Sequence, residues 1–432
     1  MNVHDSEHIS GILRNKGMEE VSSSDRADIV IFNTCSVRLK AEEKFYTALG
    51  RLKNKKKNKH VKMIVVAGCT AQVSSQEIKS RAPYVDLIIG TRQINRIYER
   101  IIEALDIKKI TVSVDEDDSI FEKNNVEHAA NIYNRESPVK AYVTIMEGCN
   151  NFCSYCIVPY TRGREVFRPP DQVLNEVKEL VDRGYLEVIL LGQNVNAYRY
   201  AETNFPDLLD NIASIEGLKR LRFITSHPAF LDDDTIKVMA KHNSICPQLH
   251  LPLQSGSNVI LELMNRQYTI EYYMDRVHML KYYIKNISLS TDLIVGFPGE
   301  TDRDYKETLE VMKKVRFDQV FSFRYSVRPH TRAAKLEDSV PYEVKRGRLI
   351  TLQELQKKIQ MERNKDEIGR KIPVLIEGYS KKDVNSMSGR APNNKVVNIR
   401  NKIPANRKSS ILNIKIVSAT LNSLIGEYSG RP

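Results

Sequence analysis

No apolar run in this 432-residue chain approaches the roughly 18 to 20 residues that cross a bilayer. The opening Met1-Asn2-Val3-His4-Asp5-Ser6-Glu7 is polar and lacks the apolar core of a signal peptide, so a cytoplasmic protein without a membrane partner is expected. Cysteine is scarce. Six in a chain of this length are too few for a disulfide scaffold, and in a reducing compartment their clustering favours metal over disulfide. Acidic residues are scarce at the carboxyl end: residues 367–432 hold twelve Lys/Arg against four Asp/Glu, which is +8 of the chain's +12. A basic terminal domain suits a polyanionic partner such as nucleic acid. Hydrophobic content of 41% and charged content of 28% are ordinary for a globular protein, and the length suits about three domains.

What is present is organised around one stretch. Cys149, Cys153 and Cys156 fall within eight residues, directly after the strand-like run 141–146, with the aromatic Tyr155 just before the last of them. Three thiolates on a short loop can hold three irons of a four-iron cube and leave the fourth open to another ligand. A structural zinc site or buried thiols are the alternatives. Zinc would need a fourth closing ligand, and its cysteines usually come as two Cys-x2-Cys pairs, of which there is no second here.

On these residues the chain resembles the radical S-adenosylmethionine (SAM) enzymes. In that superfamily SAM chelates the open iron, an electron cleaves its sulfonium, and a deoxyadenosyl radical forms. The longer match from Gly148-Cys149-Asn150-Asn151-Phe152-Cys153 through Tyr160-Thr161-Arg162-Gly163-Arg164-Glu165 to Arg168 resembles the methylthiotransferases. Within them it is most similar to the branch acting on dimethylallyl-adenosine in tRNA. The resemblance implies two [4Fe-4S] clusters, SAM, tRNA and a low-potential electron donor such as flavodoxin or ferredoxin. A monomer is expected.

Residues 1–114 alternate helix and strand, with strands expected at 27–32, 61–66 and 85–89. That rhythm implies a parallel sheet, whose ligands gather at the carboxyl ends of the strands. Cys35, in Asn33-Thr34-Cys35-Ser36, and Cys69, in Ala67-Gly68-Cys69-Thr70, both sit at such ends; read alone they are equally well buried small residues. The resemblance makes them ligands of the family's auxiliary, sulfur-supplying cluster. Its third cysteine motif stands just before a sequence like Asp5-Ser6-Glu7, whereas this chain starts at Met1-Asn2. A natural protein that begins upstream is therefore expected, and a homologue unable to transfer sulfur is the alternative. The lysine-rich 53–60 reads as a solvated loop, and 115–138 as a linker.

From 139 to 340 the alternation resumes, with strands expected at 141–146, 187–191, 220–225, 248–253, 287–295 and 319–326. Six strands joined by right-handed crossovers suggest a partial (β/α)6 barrel, the radical SAM core, with its site at the strand carboxyl ends. Those ends carry Gly192-Gln193-Asn194, Ser226-His227-Pro228, Gln254-Ser255-Gly256 and Gly296-Phe297-Pro298-Gly299. Together with Tyr155, the residues Gly192, Gln193, Asn194, Ser226, Gln254 and Gly296 are the candidate SAM contacts. His227 and His250 read as hydrogen-bonded structural histidines, His227 being the better site candidate, and Cys246 as a packed thiol.

Residues 341–366 read as a helical bridge. The basic 367–432 reads as a small β-barrel that resembles the TRAM domain of RNA-modifying enzymes in Gly389-Arg390-Ala391 and Asn393-Asn394-Lys395. Arg162, Arg164, Arg390 and Lys395 are the candidate RNA contacts. With few aromatics the barrel would hold RNA through phosphate and shape rather than base stacking. Two sister activities share the architecture, one on threonylcarbamoyl-adenosine in tRNA and one on an aspartate of a ribosomal protein. A zinc-stabilised RNA-binding protein is the rival from another class, and it leaves the four strand-end motifs unexplained.

Overall fold

The structure, a computed structural model, describes all residues except 35–38, 59, 108–109, 115–132, 381–385, 402, 405–408 and 429–432, together with the side chains of 39–42. Cys35 and most of the expected linker lie outside the described residues. The chain divides into two compact units, the first formed by 1–136, 146–150 and 156–168, the second by 137–145, 151–155 and 169–432.

In the first unit four parallel strands, Ile29–Thr34, Met63–Gly68, Leu87–Ile89 and Thr111–Ser113, pair in chain order. Met63–Gly68 is buried along its whole length, as a central parallel strand covered on both faces should be. Its side chains alternate between two cores. Met63, Val65 and Ala67 join Ile9, Ile94, Ile97 and Ile101, while Ile64 and Val66 join Phe45, Leu49 and Ile78. Thr34, the residue before Cys35, is paired with Gly68, the residue before Cys69. Gly68 has a φ of +95°, and a Cβ there would stand 2.6 Å from the Thr34 carbonyl oxygen, so only glycine turns the strand into the helix Cys69–Arg81 at that point.

The second unit holds two three-stranded parallel sheets. One is ordered Arg220–Phe223, Glu187–Leu191, Lys140–Thr144; the other Gln248–His250, Ser288–Val295, Gln319–Arg324. A parallel bridge between Leu221 and Ile245 connects them into an open, partial barrel of six strands. Helices follow the strands, and the start of Asp302–Val315 carries a capping box: Thr301 accepts from the Asp304 backbone while the Asp304 carboxylate accepts from the Thr301 backbone. The helix Tyr342–Lys365 then leads to a closed five-stranded barrel of Lys371–Tyr379, Met387–Arg390, Val396–Ile399, Leu424–Tyr428 and Ile411–Ala419. Its core is aliphatic, built on Val374, Ile376, Val397, Ile414 and Leu424. Arg222 anchors this barrel, donating to the carbonyls of Pro392 at 2.7 Å and Ala391 at 2.9 Å while its Nε meets Glu187 at 2.9 Å.

Candidate functional site

The segment Asn151–Tyr155 is clamped by the residues that end the helix Asn258–Leu263. Ser154 donates from its N–H to Met264 O at 3.0 Å and from its hydroxyl to Leu263 O at 2.7 Å, and its own carbonyl accepts from Ala333 at 2.7 Å. Asn265, held at a left-handed φ of 56°, donates to the carbonyls of Asn151 at 3.0 Å and Phe152 at 3.3 Å. The next residue, Arg266, is 4% exposed and sends Nη1 to Cys153 Sγ at 3.3 Å and to the Tyr155 hydroxyl at 3.4 Å. Its Nη2 donates to Pro252 O at 2.9 Å and its Nε to the Tyr268 hydroxyl at 3.2 Å. Cys153 itself is 8% exposed. Sequence reasoning missed Arg266: it falls outside every motif, and no local pattern carries a signal for it.

The strand ends bring further polar atoms together. Val195 N donates to Thr225 O at 3.0 Å, and Asn196 holds the backbone of His227 on both sides, accepting from its N–H at 2.8 Å and donating to its carbonyl at 2.9 Å. Thr225, a β-branched residue, is held at φ 74°, a strained conformation of the kind that clusters at functional sites. His227 Nδ1 accepts from Ala229 N at 3.3 Å, so in the neutral ring the proton sits on Nε2. Burial, reinforced by the Arg266 cation, pushes its pKa down to about 2. The ring packs edge-on against Tyr268, 5.7 Å between centroids, and Phe230 at 5.6 Å. Its Nε2 and the neighbouring Ser226 Oγ are buried without a hydrogen-bond partner among the described residues. Two such atoms at one strand end suit a polar ligand, since leaving them unpaired costs ~1 to 3 kcal/mol each.

Gly192 and Asn194 are buried and Gln193 is half-buried. Gln254, at φ 72°, uses its backbone to extend the sheet, with N donating to Asp292 O at 2.8 Å and O accepting from Ile294 at 2.9 Å. Gly296 is glycine for a local reason: its φ is +70°, its N–H donates to Glu300 Oε2 at 2.7 Å, and a Cβ would lie 2.3 Å from Lys345 Cγ. His250 is bonded at both nitrogens, to Ser290 Oγ at 3.0 Å and Asp292 at 3.3 Å. Cys246 is buried, and that burial raises its thiol pKa.

In the first unit Cys149 donates its N–H to Gly163 O at 3.1 Å; Cys149 and Cys156 are half-buried and Cys69 is buried. Arg162, read as an RNA contact, is instead 4% exposed and paired with Asp5 and, at 3.7 Å, with Glu147. A guanidinium enclosed by two carboxylates is not offered to a phosphate. Burial opposes its charge, but Asp5 and then Cys69 and Glu147 hold it firmly protonated. In the second unit the Lys395 side chain is 9% exposed and bound to Asp318 at 3.2 Å and Glu367 at 3.4 Å, so it too faces inward. Arg390 is half-buried and Arg164 exposed. Among the described residues no group of three or more His, Cys, Asp or Glu side chains is arranged to hold a metal ion.

A family model described as the radical SAM superfamily matches residues 143–312, and one described as uncharacterized protein family UPF0004 matches residues 1–90. The tRNA-2-methylthio-N(6)-dimethylallyladenosine synthase of Thermodesulfovibrio yellowstonii is 46% identical over 99% of this chain and 96% of that protein. The protein of the same name from Finegoldia magna is 43% identical over 99% of this chain and 92% of its own length. Among solved structures, the radical S-adenosylmethionine methyltransferase TsrM from Kitasatospora setae superposes with a TM-score of 0.53 at 15% identity, covering 77% of this chain and 73% of that one. At that identity the likeness concerns the fold.

Proposed function

The chain belongs to the family of tRNA-2-methylthio-N(6)-dimethylallyladenosine synthases within the radical SAM superfamily, and from that membership we propose the activity and its residues. It is an enzyme that transfers a methylthio group to the adenine ring of dimethylallyl-adenosine in tRNA. The observation that carries the site assignment is the Cys153 sulfur, buried at the barrel mouth against a guanidinium that has no carboxylate partner among the described residues. That environment fits a cysteine that ligates a metal as thiolate.

Cys149, Cys153 and Cys156 would hold the [4Fe-4S] cluster, and Cys35 and Cys69 are proposed for the auxiliary one. When bound, the first cluster and SAM supply one-electron chemistry able to remove a hydrogen from an aromatic C–H. The chain's own residues do the rest. Asn265 and Met264 fix the backbone around Cys153, and the neutral His227 donates from Nε2–H toward an acceptor in the site without changing charge. Phe230 and Tyr268 pack edge-on against the ring of His227, a residue 5% exposed. Gly192, Gln193, Asn194, Ser226 and Gln254 line the remaining strand ends and are proposed to contact SAM. The basic barrel is proposed to hold tRNA by its phosphates, and the target base to leave its stack to reach the site. A low-potential flavodoxin or ferredoxin as electron donor, a monomer and a cytoplasmic location complete the proposal.

The test is nucleoside analysis of tRNA from a strain lacking the gene. Loss of the methylthio group with the dimethylallyl group retained is expected. An unchanged dimethylallyl-adenosine pattern, or a loss confined to threonylcarbamoyl-adenosine, would overturn the assignment.

A further inference from the structure

We propose that Arg266 sets the reduction potential of the cluster on Cys149, Cys153 and Cys156 by donating a charge-assisted hydrogen bond to the Cys153 sulfur; this rests on the cluster assignment above. Arg266 is buried, and its guanidinium donates to four acceptors: Cys153 Sγ, the Tyr155 and Tyr268 hydroxyls and the Pro252 carbonyl. Among the described residues no carboxylate lies within ion-pair distance of it. An isolated buried cation is costly, by several kcal/mol, unless a negative group compensates it. Of its four acceptors two are hydroxyls and one a carbonyl. The Tyr268 phenol, itself donating to Leu253 O at 2.7 Å, is kept neutral because burial raises its pKa. The sulfur is the acceptor that becomes an anion when it binds iron.

The sign follows from Coulomb's law. Reduction adds one negative charge to the cluster, so a fixed cation 3.3 Å from a ligating sulfur stabilises the reduced form more than the oxidised one. The cation is held in place, because Arg266 directly follows Asn265, whose amide clamps the carbonyls of Asn151 and Phe152. One turn of chain thus fixes both the backbone before Cys153 and the charge beside its sulfur. A purely structural arginine would change cluster loading and leave the potential alone.

The experiment is an EPR-monitored redox titration of the full chain, reconstituted anaerobically, following the signal that changes shape when SAM is added. Arg266→Met is expected to lower the reduced-to-oxidised ratio at a given donor potential roughly tenfold, about 59 mV for a one-electron couple. Arg266→Lys, which keeps the charge, should recover most of the shift. Equal midpoints in the parent, Met and Lys proteins, with iron retained, would overturn the inference. Should Arg266→Met fail to load iron, Arg266→Gln takes its place: a lowered midpoint supports the inference and an unmoved one ends it. A SAM-responsive EPR signal that survives Cys153→Ala would instead sink the cluster assignment itself, a result distinct from a potential indifferent to Arg266.

Discussion

Arg162 and Asp5, 157 positions apart in the chain, form a buried ion pair in the first unit, with side chains 4% and 6% exposed. Removing one partner leaves the other charged and dry. Asp5→Ala is expected to destabilise this unit by ~3 kcal/mol, toward the lower end of the usual range because Glu147 remains within 3.7 Å of Arg162. Urea denaturation checks it, as a lowered midpoint with an unchanged slope. The double variant Asp5→Leu/Arg162→Met should cost less than Asp5→Ala, and a greater loss would show that the unpaired arginine is not what destabilises the single variant.

Stability should fall in mild acid because three histidines are buried neutral. His4 and His8 pack on Tyr133 at 4.7 and 5.0 Å, and His227 sits at the strand end. Burial lowers His8 to about 4 and His227 to about 2, with His4 also well below its ordinary value. In the unfolded chain each titrates near pH 6.5. Below that pH the unfolded state binds protons that the folded state refuses, so their stability is fully present above about 6.5 and declines as pH drops toward 4. The slope is about 1.4 kcal/mol per pH unit per histidine. Melting temperatures between pH 7.5 and 5 measure it, and His8→Phe, which keeps the ring packing, should flatten the curve; an unaltered slope would refute the account.

His227 should matter as a donor and not as a base. His227→Phe removes the Nε2–H, whose loss against a buried acceptor is worth ~1 to 3 kcal/mol, so methylthiolation should slow roughly tenfold or more. Iron content should stay that of the parent. His227→Gln, which retains an N–H donor, should keep more activity than Phe, and the rate should show no inflection near pH 6.5. Equal rates for Phe and Gln would mean that the ring serves packing alone.

Gly296→Ala should be costly for a reason unconnected with SAM. The new methyl would meet Lys345, which is 4% exposed and held by Asp338 at 2.6 Å, and the φ of +70° disfavours any side chain. A loss of ~2 kcal/mol or more is expected. In a double-mutant cycle, Lys345→Ala should recover the steric part and leave the conformational part, giving a coupling of at least ~0.5 kcal/mol. Strict additivity would mean the two residues do not meet in solution.

The order of elements and the cysteine loop were legible in the sequence because both are local. A buried parallel strand announces itself as a β-branched run, which is how Met63–Gly68 and Glu187–Leu191 were placed within two residues. The spacing Cys149, Cys153, Cys156 is likewise a property of eight consecutive positions, and the basic tail one of composition. None of the partners that give those residues their surroundings is local. Arg266 reaches Cys153 across 113 positions, and Arg162 reaches Asp5 across 157. The packing at Gly296 is set by Lys345, on a helix far along the chain. Periodicity records which face of an element is buried. What a buried charge or a bare glycine meets there is decided by how separate elements pack, where an unpaired cation or a Cβ clash costs several kcal/mol. Sequence alone therefore determined the chemistry of the loop, and the tertiary structure decided which charges stand beside it.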